Sequence, residues 1–538
     1  MVTRFVKTPD GRKKARPAGG TDDSLLVMAR QVGAAATEAA LHLARVMQDN
    51  VSKTASGVMG QDGERMSKVD RAWLRMDSPN NLMMIVGFWI LKPRVDYETV
   101  CQRIDERMRK YPRFHQVVVE DATGATWVED GGFDIHNHVV REKLPRVARG
   151  GERAALQALV GRLAVEPLDP ARPLWKMHLV ENYRDEDGKP ACVLIVRIHH
   201  CIADGIALIA VTMSLVDGGA EPPVRVHTGG PASAEDWIAH ALVEPLTHIA
   251  VKALDAAGDG AAASLHLLRE PGKGVSGSAD LARIAYHVLS DAAALALMPN
   301  DSPTRLKGKA GTAKRVAWCQ PIPLDEVKAV GKALNCSVND VLLSCVAGAI
   351  GEYLKAKGDT VKGQEIRAMI PVNLRPMEEA WKLGNHFGLV PLVLPIGITN
   401  PIERVYAVRS RMAALKGSTQ PLLAFGLLAV AGLLIKPAQD ALLGLFSRKT
   451  TAVMTNVPGP REPLALCGSR VTQCMFWVPQ SGHVGLGVSI LSYGGGVQFG
   501  VITDTQLCPE PQQIIDAFAP EFAALSTLTL MLPWGEEE

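Results

Sequence analysis

The sequence predicts an α/β protein, because strand-like apolar runs alternate with amphipathic helical patterns along most of the chain. In the first half, residues 83–91 and 191–198 are predicted strands, and residues 97–109 form a predicted helix. A chain of 538 residues is longer than a single hydrophobic core usually grows. We therefore expect two α/β domains with additional segments.

Residues 1–62 predict a basic arm followed by an amphipathic helix. Only one acidic residue precedes Pro17, against six basic ones: Arg4, Lys7, Arg12, Lys13, Lys14 and Arg16. Residues 23–47 then place apolar side chains on one helix face: Leu25, Met28, Val32, Ala36, Ala39, Leu43 and Val46. This combination is typical of a membrane-surface anchor, and the alternative is a helix packed on its own domain.

The first domain is predicted over residues 63–217. Further strands are expected around Gln116 and Asp134 and at residues 175–181. The strand at residues 191–198 is almost uninterrupted in apolar residues, which is typical of a strand buried on both faces.

Residues 218–314 predict a helical linker, because Ala-rich stretches are broken there by glycine-rich breaks. A second domain is predicted over residues 315–538. Its expected strands are residues 366–370, 388–394, 484–489 and 497–502, and its expected helices are residues 324–334, 338–355, 402–416 and 512–525. The apolar run at residues 421–435 is shorter than the ~20 residues of a membrane span and predicts a buried or interfacial helix.

Composition excludes some functions. A formal net charge of +2 argues against a nucleic-acid surface as the main role. The nine cysteines are scattered without a CxxC pair, so they predict reduced thiols in a cytoplasmic protein. No apolar core with a cleavage site follows the first charges, so secretion is not expected.

The clearest chemical signal is the sequence HHCIADG at residues 199–205, directly after the predicted buried strand. A neutral imidazole there can take a proton from an alcohol and return it to a leaving thiolate. We predict His200 as the general base and His199, on the opposite face of the strand end, as structural support. Asp204 is expected to organise the loop, and Gly205 to permit a backbone turn.

The motif has two further interpretations, metal binding by the paired histidines and direct catalysis by Asp204. Paired histidines can bind a metal, but no HExxH spacing or Cys-rich cluster accompanies them, so we expect no metal. For Asp204 a structural role is favoured, and direct catalysis stays open.

The HHxxxDG pattern at residues 199–205 resembles the signature of the CoA-dependent acyltransferase superfamily, which includes chloramphenicol acetyltransferases and peptide-synthetase condensation domains. Over residues 66–530 the chain resembles the bacterial wax ester synthase/acyl-CoA:diacylglycerol acyltransferase family. The ordered blocks that carry this resemblance are MSKVD at 66–70, RPLW at 172–175, VNDV at 338–341, PVNLR at 371–375, TNVPGP at 455–460 and LSY at 491–493. The chain departs from the family in its long N-terminal extension and in Thr455, where serine is usual.

The resemblance implies two chloramphenicol-acetyltransferase-like domains with mixed sheets, joined by the linker, with the 199–205 loop facing a tunnel between them. It implies acyl-CoA as co-substrate, no bound cofactor, and diacylglycerol or a long-chain alcohol as acceptor. Transfer would be direct in a ternary complex. An acyl-enzyme through Cys201 is the rival mechanism, but its side chain is expected to point away from His200.

The family blocks suggest further site residues. Pro173, Leu174 and Trp175 either contact substrate or shape the start of a strand. Asn339 and Asp340 either contact substrate or cap a helix. Asn456, in a turn made rigid by proline, either donates to the oxyanion or only forms the turn.

Two alternatives to the lipid acyltransferase stay open. One is a condensation-type or small-molecule O-acyltransferase of the same superfamily, and the other is a non-catalytic lipid-surface protein. Intact His200, Asp204 and Gly205 favour an enzyme. We expect a cytoplasmic protein, peripherally associated with the inner membrane or lipid inclusions.

Overall fold

Two large mixed sheets organise the computed structural model, which describes residues 63–121, 124–148, 150–219, 298–374, 382–416 and 436–532. These residues all fall within one compact unit of the chain. The predicted helix at 23–47, most of the predicted linker and the apolar run at 421–435 lie outside the described residues.

The helices in chain order are Lys68–Arg75 (α1), Tyr97–Met108 (α2), Ile135–His138 (α3), Glu152–Leu163 (α4), Gly205–Leu215 (α5), Leu324–Ala333 (α6), Val338–Ala356 (α7), Pro401–Lys416 (α8), Lys436–Lys449 (α9) and Pro511–Leu530 (α10). The strands are Glu64–Arg65 (β1), Met84–Lys92 (β2), Gln116–Asp121 (β3), Gly124–Glu129 (β4), Val139–Glu142 (β5), Trp175–Val180 (β6), Cys192–His199 (β7), Lys314–Trp318 (β8), Ile322–Pro323 (β9), Ile366–Asn373 (β10), Phe387–Leu394 (β11), Ala452–Pro458 (β12), Ala465–Leu466 (β13), Ser469–Trp477 (β14), Leu486–Tyr493 (β15) and Gly496–Asp504 (β16).

The first sheet has six strands in the order β13-β14-β2-β7-β6-β5. Strand β7 lies at its centre, antiparallel to β2 and to β6, so the strand before the 199–205 loop has a partner on each side. Strand β14 pairs with β2 although the two are almost 400 residues apart in the chain. The predicted division at residue 315 is therefore not a division between the two sheets.

The second sheet has seven strands, ordered β11-β10-β12-β15-β16-β8, with β9 on β16. Strand β12 runs parallel to both of its neighbours, β10 and β15, whereas β15 and β16 are antiparallel. Both sheets are thus mixed, and the predicted α/β class is confirmed. Alternate residues of β15 and β16 share one core with α7 and α10.

The predicted helices and strands that fall on described residues agree with the structure to within a few residues, with one exception at Asp134. A strand was predicted around Asp134, but Asp134 is the N-cap of the short helix α3. Its carboxylate accepts from the amide of His136 at 3.0 Å, and this side-chain contact favours a helix start. The strand, β5, begins only at Val139.

The last part of the predicted linker, residues 298–313, packs on the second sheet. The carboxylate of Asp301 accepts from the amide of Arg367 at 2.8 Å, and Leu306 lies in the core of that sheet. Residues 298–313 are therefore part of the fold around the second sheet.

Among the described residues, no single helix has the length and apolar composition that crossing a membrane requires. Helices α6 and α7 meet this length and composition only when they are taken together, and the pair is bent by 100°.

The two faces of β2 have different surroundings. Met84, Val86, Phe88 and Ile90 pack into a core with α4, β8 and the tryptophan Trp477 of β14. Ile85, Gly87 and Trp89, on the alternate face, line a cavity instead. The six-stranded sheet thus has one closed face and one face that a ligand can reach.

Candidate active site

His200 lies directly after β7, where its amide donates to the carbonyl of Met83 at 2.7 Å. Its imidazole is 3% exposed and is stacked on the indole of Trp73, with ring centroids 4.2 Å apart and planes at 16°. The ring of Phe387 lies 5.5 Å away at a tilt. Aromatic rings on α1 and β11 therefore hold the imidazole in one plane.

The hydrogen bonds of Asn385 determine which nitrogen of His200 carries the proton. The Nδ2 group of Asn385 donates to the Asp70 carboxylate and to the carbonyl of His200, both at 2.7 Å. Both partners are acceptors, so the amide oxygen of Asn385 must be the atom 2.7 Å from His200 Nδ1. Nδ1 is then the donor, and the lone pair of the imidazole is on Nε2.

Asp70 is the centre of a buried network. Its side chain accepts from the amide of Asn385 at 3.0 Å and from Arg113 Nη1 at 2.9 Å. Arg113 also donates to the carbonyl of Ile202 at 3.0 Å and lies 5.2 Å from the ring of Trp127. Because both charges are buried, each depends on the other for compensation.

Asp204 connects the 199–205 loop to residues 384–386. One carboxylate oxygen accepts from the amide of Ala207 at 2.9 Å and so caps α5, and the other accepts from the amide of His386 at 3.0 Å. The amide of Asp204 donates to the carbonyl of Gly384 at 3.2 Å. These contacts give Asp204 the geometry of a loop organiser.

His199 and Cys201 lie away from the base. The ring of His199 faces a separate pocket together with Asp77 and Leu174, and its Nδ1 accepts from the amide of Cys201 at 3.1 Å. Nε2 of His199 lies 3.3 Å from Asp77 Oδ1. Cys201 is fully buried and does not line the His200 cavity. This placement agrees with the expectation that its side chain points away from His200.

Electrostatics keep His200 neutral. Burial lowers the pKa of His200 from 6.5 to about 4, and the Asp204 carboxylate opposes this shift. The imidazole is therefore unprotonated on Nε2 at neutral pH, as a proton acceptor must be.

His200 opens onto a cavity that is also lined by Trp73, Asp204 and Phe387. Four polar residues from the C-terminal half form part of its wall: Asn373, Thr455, Asn456 and Ser481. A second cavity lies against α5 and the open face of the six-stranded sheet, and its lining is almost wholly apolar. Four residues line both cavities: Gly205, Val457, Phe476 and Val478.

The backbone reason expected for Gly205 was wrong. Gly205 is the first residue of α5, and its φ is not in the left-handed region that favours glycine. A helix start is a conformation that any residue adopts, so no turn requires glycine here.

The turn predicted at Asn456 is wrong, because Asn456 lies within strand β12, where it pairs with Ile490 of β15. Asn456 lines the His200 cavity, and its Nδ2 donates to Oδ1 of Asn339. Helix α7 is capped by Ser337 rather than by Asn339, because Ser337 and Asp340 bond reciprocally in a capping box. Asp340 therefore has a capping role. The expectation that Asn339 caps the helix was wrong, since its side chain contacts Asn456.

Pro173, Leu174 and Trp175 are not brought to the His200 cavity. Trp175 is 1% exposed, donates from Nε1 to the carbonyl of Phe114 at 2.7 Å and stacks on His138. The carbonyl of Leu174 accepts from the amide of His199 at 2.9 Å. Trp175 therefore has a packing role, and Leu174 holds the end of β7 through its backbone.

Asn385, Trp73 and Arg113 were not predicted from the sequence, and Asp70 entered only as part of the MSKVD block at 66–70. Asn385 follows Gly384 just before a predicted strand. The available signal was a polar residue at a strand start, which describes many surface loops as well.

Comparison with known proteins gives a consistent result. Residues 66–342 match the wax ester synthase/diacylglycerol acyltransferase catalytic domain, and residues 383–526 match the WS/DGAT C-terminal domain. A probable diacylglycerol O-acyltransferase of Mycobacterium tuberculosis is 28% identical over 81% of this chain and 89% of its own length.

Solved structures show the same fold. The wax ester synthase/diacylglycerol acyltransferase of Marinobacter aquaeolei VT8 superposes with a TM-score of 0.59 at 19% identity, covering 87% of this chain and 99% of that one. The first condensation domain of the calcium-dependent antibiotic synthetase superposes with a TM-score of 0.53 at 12% identity, over 87% and 96% of the two chains.

The first prediction concerns the buried ion pair. Replacing Arg113 with methionine leaves the Asp70 carboxylate buried without its cation, so the free energy of unfolding should fall by about 3–5 kcal/mol. Chemical denaturation measures this change. The matched control is Arg65→Met, which breaks an exposed pair with Asp121 and should cost less than about 1 kcal/mol. Equal losses in the two variants would contradict the network.

Proposed function

The chain belongs to the wax ester synthase/diacylglycerol acyltransferase family, and we propose that His200 is the general base of its acyl transfer. The enzyme is an O-acyltransferase that moves an acyl group from acyl-CoA to diacylglycerol, a long-chain alcohol or both. The observation that carries the role of His200 is its tautomer. With Nδ1 donating to Asn385, the lone pair of Nε2 remains for a substrate in the cavity.

In the proposed reaction the acceptor hydroxyl gives its proton to Nε2 of His200 as the oxygen attacks the thioester carbon. The carbonyl oxygen takes up negative charge in a tetrahedral intermediate. When the carbonyl re-forms, the carbon–sulfur bond breaks, and the CoA thiolate takes the proton from the imidazolium. No bond to the protein forms, so a single ternary complex suffices.

Two features support the brief imidazolium state. The Asp204 carboxylate lies near enough to raise the pKa of His200 against the effect of burial. The face of Trp73 stacks on the ring, and an aromatic face attracts a cation. The low ground-state pKa of about 4 also favours return of the proton to the leaving thiolate.

For the oxyanion we propose Asn456 as donor, because it lines the same cavity as His200 and its NH2 group carries a second hydrogen besides the one donated to Asn339. The N-terminus of α5 supplies further positive potential. Asp204 caps the amide of Ala207, and helix geometry leaves the amides of Gly205 and Ile206 without intrahelical acceptors. Both residues line the cavity, where a helix N-terminus favours negative charge.

The apolar cavity between α5 and the open sheet face suits an alkyl chain. Its lining includes Ile85, Leu194, Val196 and Leu208, whose hydrocarbon surface gains from contact with methylene groups. The two cavities share Gly205, Val457, Phe476 and Val478 in their linings, so a chain bound in the apolar cavity would have its reacting end on the side of the base. A lipid substrate explains this cavity better than a small polar one.

The second prediction tests the base directly. His200→Ala should lower turnover of labelled palmitoyl-CoA by about two to four orders of magnitude, with diacylglycerol and with a long-chain alcohol. The variant should remain folded by circular dichroism and still bind acyl-CoA. His136→Ala, which removes an exposed histidine, is the control and should keep full activity. Near-full activity of the His200 variant would remove His200 from the mechanism.

The third prediction concerns pH. Neutral His200 is the active form, so kcat/KM should stay level through neutral pH and fall only as pH decreases through about 4. Because the pKa of His200 in the folded protein lies below 6.5, the unfolded chain binds this proton first as the pH falls. The stability that neutral His200 contributes is therefore lost as the pH decreases from 6.5 towards 4. Circular dichroism at each pH separates the two effects. An acid limb centred near 6.5 in folded protein would refute the lowered pKa.

We further propose that residues 1–60 hold the enzyme at the cytoplasmic surface of the inner membrane or at lipid inclusions. Basic residues before Pro17 attract anionic lipid by about 1 kcal/mol each near the surface. The apolar stripe that includes Leu25, Met28 and Val32 adds burial in the interface. An enzyme whose acceptor and product partition into lipid gains from staying at that surface.

The fourth prediction is that deleting residues 1–60 lowers sedimentation with anionic liposomes but leaves turnover of a detergent-dispersed acceptor nearly unchanged. The deletion keeps β1 and the Ser67 cap of α1. Raising the salt concentration should mimic the deletion, since ions screen surface charge. If the truncated protein bound liposomes equally well but melted at a clearly lower temperature, the segment would belong to the fold and the anchor would be wrong.

A further inference from the structure

Neither backbone geometry nor packing explains why residue 205 is a glycine. It begins α5 with an ordinary helical conformation. A Cβ atom added there would meet no other atom within 4 Å. At Gly87, which also lines the apolar cavity, a Cβ would lie 2.9 Å from the carbonyl oxygen of Met475. Packing therefore demands glycine at position 87 and leaves position 205 free.

The space in front of Gly205 is the junction of the two cavities. Gly205, Val457, Phe476 and Val478 line both the His200 cavity and the apolar cavity. Val457, Phe476 and Val478 carry side chains, and Gly205 carries none. A substituent on Gly205 would enter the opening rather than the protein core.

We propose that the missing side chain of Gly205 keeps the passage between the two cavities open, so that Gly205 determines how long an alkyl chain the enzyme accepts. This proposal rests on the proposed function, because the chain must extend from the reacting carbon at His200 into the apolar cavity. Carbon atoms need about 4 Å between centres at contact, so each added carbon at position 205 takes space that a methylene group requires. A short alkyl chain ends before these four residues, so the added carbon does not obstruct it.

The chain has two possible sources of one chemistry, an unbranched alkyl chain. It belongs either to the acyl group of the donor or to the acceptor. The test varies the two separately, using acyl-CoA donors from hexanoyl to stearoyl with one fixed acceptor, then alcohols of increasing length with one fixed donor. Values of kcat/KM are compared for wild type, Gly205→Ala, Gly205→Val and Gly205→Leu.

In one of the two series, the longest chains should lose about 10- to 100-fold in kcat/KM, more with each larger side chain. Short chains should lose less than long ones, because they make no demand on the passage, so the ratio of long-chain to short-chain kcat/KM should fall with each larger side chain. The series that shifts identifies whether donor or acceptor occupies the apolar cavity, and either result supports the proposal. A loss that is equal at all lengths in both series, or no loss at all, would overturn it.

Two controls keep the result interpretable. Alanine is a better helix former than glycine by about 1 kcal/mol, so Gly205→Ala should melt no lower than wild type. Gly444→Leu, inside α9, also adds a side chain where a Cβ meets nothing within 4 Å, but away from both cavities, and should keep the wild-type length profile. Failure of the proposed function is separable, because it would appear as full activity of His200→Ala whatever the length profile of the Gly205 series.

Discussion

The active site depends on one buried carboxylate, that of Asp70. Together with the carbonyl of His200, it holds the NH2 group of Asn385 away from His200 Nδ1. An amide rotated by half a turn would present that NH2 group to Nδ1 instead. Nδ1 would then have to accept, the ring proton would move to Nε2, and the lone pair would no longer face the cavity. The contact between Asp70 and Asn385 Nδ2, at 2.7 Å, thus decides the chemistry of an atom that Asp70 does not touch. Arg113 makes burial of that charge tolerable, because it supplies a cation at 2.9 Å and ties the same network to the carbonyl of Ile202.

The six-stranded sheet supplies the second requirement, a surface for an alkyl chain beside the base. Side chains of a strand alternate between the two faces, so β2 can complete a core with Phe88 and line a cavity with Ile85 and Trp89. The same alternation ends β7 with His199 on one side, facing the pocket that contains Asp77, and His200 on the other. Paired histidines therefore have separate environments, and only His200 faces the substrate cavity.

Local periodicity predicted much of the fold but could not predict which distant segments pair. Helix α7 was predictable because its apolar residues and its Ser337–Asp340 capping box are encoded within 20 residues. The addition of β14 to the first sheet was not predictable, because a strand's pattern shows which face is buried and carries no record of its partner. His200 was found because its motif is contiguous. Asn385 was not, since its role arises from contacts across 185 residues to His200 and 315 residues to Asp70.

This distribution of contacts makes the proposed base a property of the whole described fold. His200 and Asp70 come from the first half of the chain, whereas Asn385 and Phe387 come from the second, and the bridge between Ala203 and Gly384 joins the two segments beside the imidazole. The N-terminal half alone would contain the complete HHxxxDG motif without the acceptor that places the Nδ1 proton. An intact motif is therefore necessary for the chemistry and does not suffice for it. The reactive tautomer exists only where the segment at 384–387 has docked against the loop at 199–205.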